Sequence, residues 1–242
     1  MSLSKNQLKL ITSLQQKKYR TKNNLFIVEG TKVVNEFLNS NFELEQLFCV
    51  DDFGYKNIEK LAQISEVELR KISNLKTPNN VLALFKIPSE EKVKKEGLIL
   101  VLDEINDPGN LGTIIRLCDW FGVDQLICSK NTVDCYNSKV VQASMGSLTR
   151  TSIVYTNLGV YLEQVKLPKY ASLMDGENVY KNKLPKNAVL VMGNEANGIS
   201  DKILELVTNS VSIPRFGSLQ KTESLNVATA TAILLSEFKR AF

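Results

Sequence analysis

Apolar positions in the second half of this 242-residue chain come in short solid blocks. "LILVL" (Leu98–Leu102) and "AVLVM" (Ala188–Met192) are apolar at every position. A strand without a polar face must be covered on both sides, which is the condition of a parallel sheet. Further strands are expected at Gln125–Cys128, Ser152–Tyr155, Tyr170–Met174 and Ser210–Ile213. Helical patterns fill the gaps at Leu111–Phe121, Tyr136–Leu148, Leu158–Val165, Asp201–Val207 and Ser224–Phe242. Strands alternating with helices predict an α/β fold, whose ligands sit beyond the carboxyl ends of the strands.

Before residue 88 the same alternation runs on a smaller scale. A polar helix is expected over Lys5–Gln16, and helices also at Lys32–Asn39 and Asn57–Ile64. Strands fit Leu25–Val28, Gln46–Val50 and Val81–Ile87. "PSEEKVKKEG" (Pro88–Gly97) is charged and bounded by proline and glycine, as an interdomain linker would be. Two domains are therefore expected, 1–90 and 98–242.

Composition narrows the chemistry. Hydrophobic residues at 43% and charged residues at 23% describe an ordinary globular protein. No apolar run approaches the roughly 20 residues a membrane span needs, and the N-terminus lacks the apolar core of a signal peptide. A cytoplasmic protein with no membrane partner is the expectation. The four cysteines show no C-x-x-C spacing, which favours buried free thiols in a reducing compartment. The chain has no histidine, excluding a histidine base, a Ser-His-Asp triad and a histidine-ligated zinc. No metal is expected. The phosphate-binding P-loop and the dinucleotide fingerprint are also missing. The net charge of +4 is unevenly spread: Lys5, Lys9, Lys17, Lys18, Arg20 and Lys22 all precede the first acid, Glu29. They form either a solvated helix face or a surface for phosphates.

Three unusual stretches each follow an expected strand. In "DEINDPGNLGTIIR" (Asp103–Arg116), Asn110 can cap the helix beginning at Leu111. Gly112 and Arg116 share a helical face, so the guanidinium lies over a turn left bare by the glycine. Space for a ligand beside a cation is one explanation, and a plain surface arginine is the other. In "VMGNEANGIS" (Val191–Ser200), Gly193 and Gly198 bracket Glu195 in a turn suited to presenting backbone groups, although Glu195 could simply face solvent. In "IPRFGSLQKTESLNVATATAI" (Ile213–Ile233), Ser224 can serve as an N-cap and Asn226 can bond outward. The small residues that follow keep the last helix thin.

Together and in order, these three stretches resemble the sequence motifs of the SpoU/TrmH family of S-adenosylmethionine-dependent RNA 2′-O-ribose methyltransferases, within the SPOUT superfamily. The resemblance covers Leu98–Phe242. "QQKKYRTKNNLFIVEGTKVV" (Gln15–Val34) resembles part of the small RNA-binding module that precedes the catalytic domain in many members. The resemblance implies a C-terminal trefoil knot, a homodimer, and RNA as partner, with ribosomal RNA favoured over transfer RNA. It implies that S-adenosylmethionine is held by backbone groups of Gly193, Ile213 and Leu225. Arg116 matches the catalytic arginine, and Asn110, Glu195, Ser224 and Asn226 match the other polar site residues. The segment from Gly217 to Ser224 is longer than in the commoner family pattern. A guanidinium is protonated at working pH and makes a poor base, so the expected role of Arg116 is to clamp an RNA phosphate. Rival readings are a transfer-RNA methyltransferase, an RNA-binding protein without activity, and a Rossmann-type oxidoreductase.

Overall fold

The computed structural model describes residues 3–51, 54–55, 58–219, 221 and 224–240. The chain divides into two compact units, Met1–Ser89 with Asp134–Thr149, and Glu90–Val133 with Arg150–Phe242.

The first unit starts with two helices where one was expected, α1 (Lys5–Ser13) and α2 (Lys17–Asn23). Ser4 and Gln7 form a reciprocal capping box at the start of α1. The second helix shows no apolar stripe in sequence because its anchor is charged. Arg20 is 3% exposed, and its guanidinium donates to Asp134 Oδ2 at 2.5 and 2.9 Å and to the Leu14 and Gln15 carbonyls at 2.9 Å. Arg20 therefore belongs neither to a solvated face nor to a phosphate surface, whereas Lys5, Lys9, Lys17, Lys18 and Lys22 are exposed.

After β1 (Leu25–Glu29), α3 (Thr31–Leu38) and β2 (Leu44–Cys49), the expected helix Asn57–Ile64 is absent. A single 3-10 turn at Ile58–Lys60 leads into strand β3 (Leu61–Gln63), and Asn57 lies outside the described residues. Pairing of β3 alongside β2 overrides the local helical preference. The helix comes later, as α4 (Glu66–Ile72), opened by a second capping box between Ser65 and Glu68. With β4 (Val81–Lys86) the strands form a sheet in the order β1-β4-β2-β3. Ile11, Leu14, Ile27, Phe48 and Leu82 are among the residues filling one core cluster of this unit.

The second unit carries β5 (Leu98–Leu102), α5 (Pro108–Phe121), β6 (Gln125–Ser129) and β7 (Ile153–Thr156). Between β6 and β7 the chain contributes α6 (Ser138–Ser144) to the first unit, where Tyr136 meets the Phe26 ring at 4.8 Å. This helix is shorter than the expected Tyr136–Leu148. Met145 (φ 52°) and Gly146 (φ 94°) turn left-handed and end it, and a side chain at Gly146 would collide with Glu36.

The rest is α7 (Leu158–Gln164), β8 (Lys169–Asn178), β9 (Ala188–Met192), α8 (Asp201–Leu204), β10 (Asn209–Ser212) and α9 (Val227–Lys239). The six strands are all parallel, in the order β10-β8-β9-β5-β6-β7. From β5 the chain steps outward through β6 and β7, then crosses to the other side at β8 before β9 fills the place between β8 and β5. The strand order thus switches direction between β5 and β9, where Leu102 pairs with Met192. A crevice beyond such a switch point is the usual ligand position in open α/β sheets. Because all strands are parallel, the loops after β5, β9 and β10 leave the same edge of the sheet.

Helix α9 buries Val227, Ala228, Thr231, Leu234, Leu235 and Phe238, the i, i+4, i+7 stripe of an amphipathic helix, and packs on α5. Thr231 hides its hydroxyl by donating to the Val227 carbonyl at 2.7 Å. None of the four cysteines forms a disulfide, and all four are buried. Burial pushes the thiols of Cys118 and Cys128 well above the usual cysteine range. Among the described residues no helix is long and apolar enough to cross a membrane.

Candidate functional site

The loop after β5 enters α5 through Asp107, whose carboxylate caps the helix by accepting from the Asn110 amide at 2.8 Å, with Pro108 in the first turn. The cap expected at Asn110 therefore falls three residues earlier, since Asp-Pro supplies both a capping oxygen and a ring suited to the first helical position. Asn110 sits inside the first turn with its side chain released for other bonds.

The same correction applies to α9. Asn226, not Ser224, is its cap: Asn226 Oδ1 accepts from the Ala228 and Thr229 amides at 3.0 and 3.3 Å. The two residues before Asn226 are outside the helix, so the expected start at Ser224 is too early, and Phe242 lies outside the described residues.

With its oxygen held at the helix end, Asn226 turns Nδ2 outward and donates to Asn110 Oδ1 at 2.9 Å. Asn110 Nδ2 in turn donates to Glu195 Oε1 at 2.5 Å. Each amide has one accepting and one donating end, so helix amides at one terminus and a carboxylate at the other dictate the direction of the whole chain of bonds. One residue from each of the three unusual stretches is joined in a single relay.

Beneath the relay lie residues that sequence reasoning missed. Asp103, 5% exposed, accepts at Oδ2 from the Ser200 amide at 2.9 Å and the Ser200 hydroxyl at 2.8 Å. Ser200 stands at the N-cap of α8 but makes no cap bond with its side chain, which is given to Asp103 instead. Glu104 adopts the left-handed conformation (φ 58°), unusual for a residue with a side chain. Its amide donates to Ser129 Oγ at 3.0 Å, its carbonyl accepts from Asn194 Nδ2 at 2.7 Å, and its carboxylate accepts from Asn131 at 2.6 Å. Asn194 Oδ1 then receives the Ala196 and Asn197 amides. The sequence did hold one signal: an acid placed directly at the end of a solid apolar strand, as Asp103 is, ends up buried and needs donors.

Gly193 owes its identity to this bracing. Asn194 and Gly198 bond backbone to backbone twice at 2.9 Å, folding the loop back on itself. A Cβ on Gly193 would lie 2.3 Å from the Gly198 carbonyl carbon and the Ile199 nitrogen. Gly198 itself has φ 70°.

The remaining candidates stand outside the relay. Arg116 lies six residues beyond Asn110 on α5, roughly 9 Å along the axis, and is exposed, its guanidinium making no hydrogen bond or ion pair to another described residue. Ile213 is half-buried just after β10, Leu225 is 48% exposed, and Ser224 is exposed.

Residues 97–236 match the SpoU rRNA Methylase family, and residues 5–83 match the MRM3-like substrate binding domain. The chain is 32% identical over 231 residues to the 23S rRNA (guanosine(2553)-2′-O)-methyltransferase RlmP of Bacillus subtilis, covering 92% of this chain and 91% of that protein. Among solved structures, a TrmH-family RNA methyltransferase from Porphyromonas gingivalis is 36% identical, covers 99% of both chains and superposes with a TM-score of 0.91. The AdoMet-bound rRNA methyltransferase of Sinorhizobium meliloti is 27% identical, covers 100% of this chain and 98% of its own, and superposes with a TM-score of 0.87. With the family match spanning more than half of its length and full-length likeness to these relatives, the chain belongs to the SpoU rRNA methylase family.

Proposed function

We propose that this protein transfers a methyl group from S-adenosylmethionine to a ribose 2′-hydroxyl of RNA, with ribosomal RNA as the substrate class. The observation that carries the reading is the Glu195–Asn110–Asn226 relay, which draws the three family motifs together at the switch-point edge of the sheet. The names of the relatives favour ribosomal over transfer RNA.

The braced loop fits an adenosylmethionine site held by main-chain groups. Its shape is fixed by Asn194, Gly198 and Asp103, and backbone recognition needs a fixed shape more than particular side chains. Gly193, Ile213 and Leu225 are the residues assigned to it. The bound donor supplies an already activated methyl group, so no metal is called for. The carbon–sulfur bond breaks as the carbon–oxygen bond forms, and the hydroxyl proton leaves to an RNA phosphate or water. The chain's own part is positioning. Arg116, exposed and without a described partner, clamps a phosphate next to the target ribose. Asn110, Glu195 and Asn226 hold the pocket walls in register, and Ser224 bonds the ribose.

Residues 1–90 serve in this reading as the substrate-binding domain and residues 98–242 as the catalytic domain. The C-terminal segment passes through a trefoil knot, which suits the small side chains facing inward at Ala228 and Thr231. The protein works as a cytoplasmic homodimer. Incubation with methyl-labelled S-adenosylmethionine and ribosomal RNA, followed by mapping of 2′-O-methyl positions, is the test. Absence of both donor binding by calorimetry and any new 2′-O-methyl mark would overturn it.

A further inference from the structure

The loop after β10 does more than approach the donor site. Phe216 on it is 83% exposed, a large unsheltered apolar ring with no polar handle of its own. One neighbour partly faces it: Tyr180, 39% exposed, stacks at a centroid distance of 6.4 Å with planes 28° apart. Tyr180 belongs to the 3-10 turn Val179–Lys181 that follows β8, and this turn packs near α9, the helix capped by Asn226. Both segments are basic. Lys181 and Lys183 flank Tyr180, Arg215 and Lys221 flank Phe216, and all four are exposed. Neither Val179–Leu184 nor Ile213–Lys221 contains an acidic residue.

Exposed aromatic rings interleaved with cations are what an unpaired nucleic-acid strand requires. Every base has a π-face that can stack, while the cations follow the phosphates. A protein core or an apolar peptide would have no use for the four charges. We propose that Tyr180 and Phe216 form a stacking platform for a nucleobase of single-stranded RNA, with Lys181, Lys183, Arg215 and Lys221 holding the adjoining backbone. RNA as the partner rests on the reading of the chain as an RNA methyltransferase. The platform would keep the strand beside the donor loop and accept any base.

The test is fluorescence anisotropy of the full chain with a labelled single-stranded oligoribonucleotide of mixed sequence, about 12 nucleotides long, without S-adenosylmethionine. Phe216→Ala should weaken binding about 5- to 150-fold, the range that stacking of one base supplies. Phe216→Tyr should retain near wild-type affinity, and Lys181→Ala with Lys183→Ala should flatten the dependence on salt. Donor affinity by calorimetry should be unchanged in Phe216→Ala, which shows an intact fold. Binding of Phe216→Ala within about twofold of wild type overturns the platform. Sedimentation showing that Phe216→Ala splits an assembly of the wild-type chain also overturns it, because the ring would then belong to a protein interface. If methyl transfer is never found but Phe216→Ala still loses RNA, the platform stands and the catalytic reading alone fails.

Discussion

Asn226 donates to Asn110 at 2.9 Å across 116 residues of sequence, and does so from the cap of one helix to the first turn of another. Neither amide can flip without placing like against like, since Asn226 receives helix amides and Asn110 faces a carboxylate. The two residues should therefore act as a unit. Asn110→Ala and Asn226→Ala should each lower kcat/KM at least tenfold. The double variant should lose less than the product of the two, with a coupling of about 0.5–3 kcal/mol in a double-mutant cycle. Strict additivity would show that the two side chains act independently rather than as a relay.

Asp103 tests the layer below. Asp103→Ala removes the carboxylate that accepts from both the amide and the hydroxyl of Ser200, a loss of about 1–3 kcal/mol. The donor loop should loosen, and KM for S-adenosylmethionine should rise about tenfold while kcat at saturation holds. Ser200→Ala, which keeps the backbone bond, should be milder. Equal falls in kcat for both variants with an unchanged KM would count against a positioning role.

Why was Asp103 missed when Asn110 was not? The sheet was legible because solid apolar strands and alternating helices have a signature of their own. The three loops were legible through their motifs. Caps were misplaced because Asn110, Asp107, Ser224 and Asn226 are all competent capping residues, and only the three-dimensional partners decide among them. The strand at Leu61–Gln63 and helix α2 were hidden for a related reason: one exists through pairing with β2, the other through a buried ion pair. Bonds between distant loops, such as Glu104 to Asn194, leave no local pattern to read.

Gly193 and Gly217 separate a required glycine from a permissive one. A Cβ on Gly193 would meet main chain at 2.3 Å, whereas one on Gly217 would meet no described residue within 4 Å. Gly193→Ala should destabilise by about 1–3 kcal/mol and abolish donor binding. Gly217→Ala should stay within about 0.5 kcal/mol of wild type. Thermal melts and calorimetry of the two variants check this directly.

Arg20 and Lys18 make a similar pair for the basic N-terminus. Removing one partner of a buried ion pair leaves the other uncompensated, so Arg20→Ala should cost about 3–5 kcal/mol in urea unfolding. Lys18→Ala, at an exposed site, should change stability by less than about 0.5 kcal/mol. A stable Arg20→Ala protein would return Arg20 to the solvent-facing charges.

Arg116 is the residue whose chemistry divides the possible mechanisms most sharply. Its side chain is exposed on α5, and a guanidinium fork matches a phosphate with two parallel bonds. Lysine keeps the charge but offers a single point of contact. If Arg116 clamps and orients a phosphate, Arg116→Lys should lose about 10- to 100-fold in kcat/KM and Arg116→Ala more, with donor affinity unchanged in both. A loss confined to KM for RNA would mean that the clamp holds ground and transition states alike, and a loss in kcat that it acts on the reacting geometry. Near-normal turnover by Arg116→Lys would show that charge alone suffices, and the bidentate clamp would have to be abandoned.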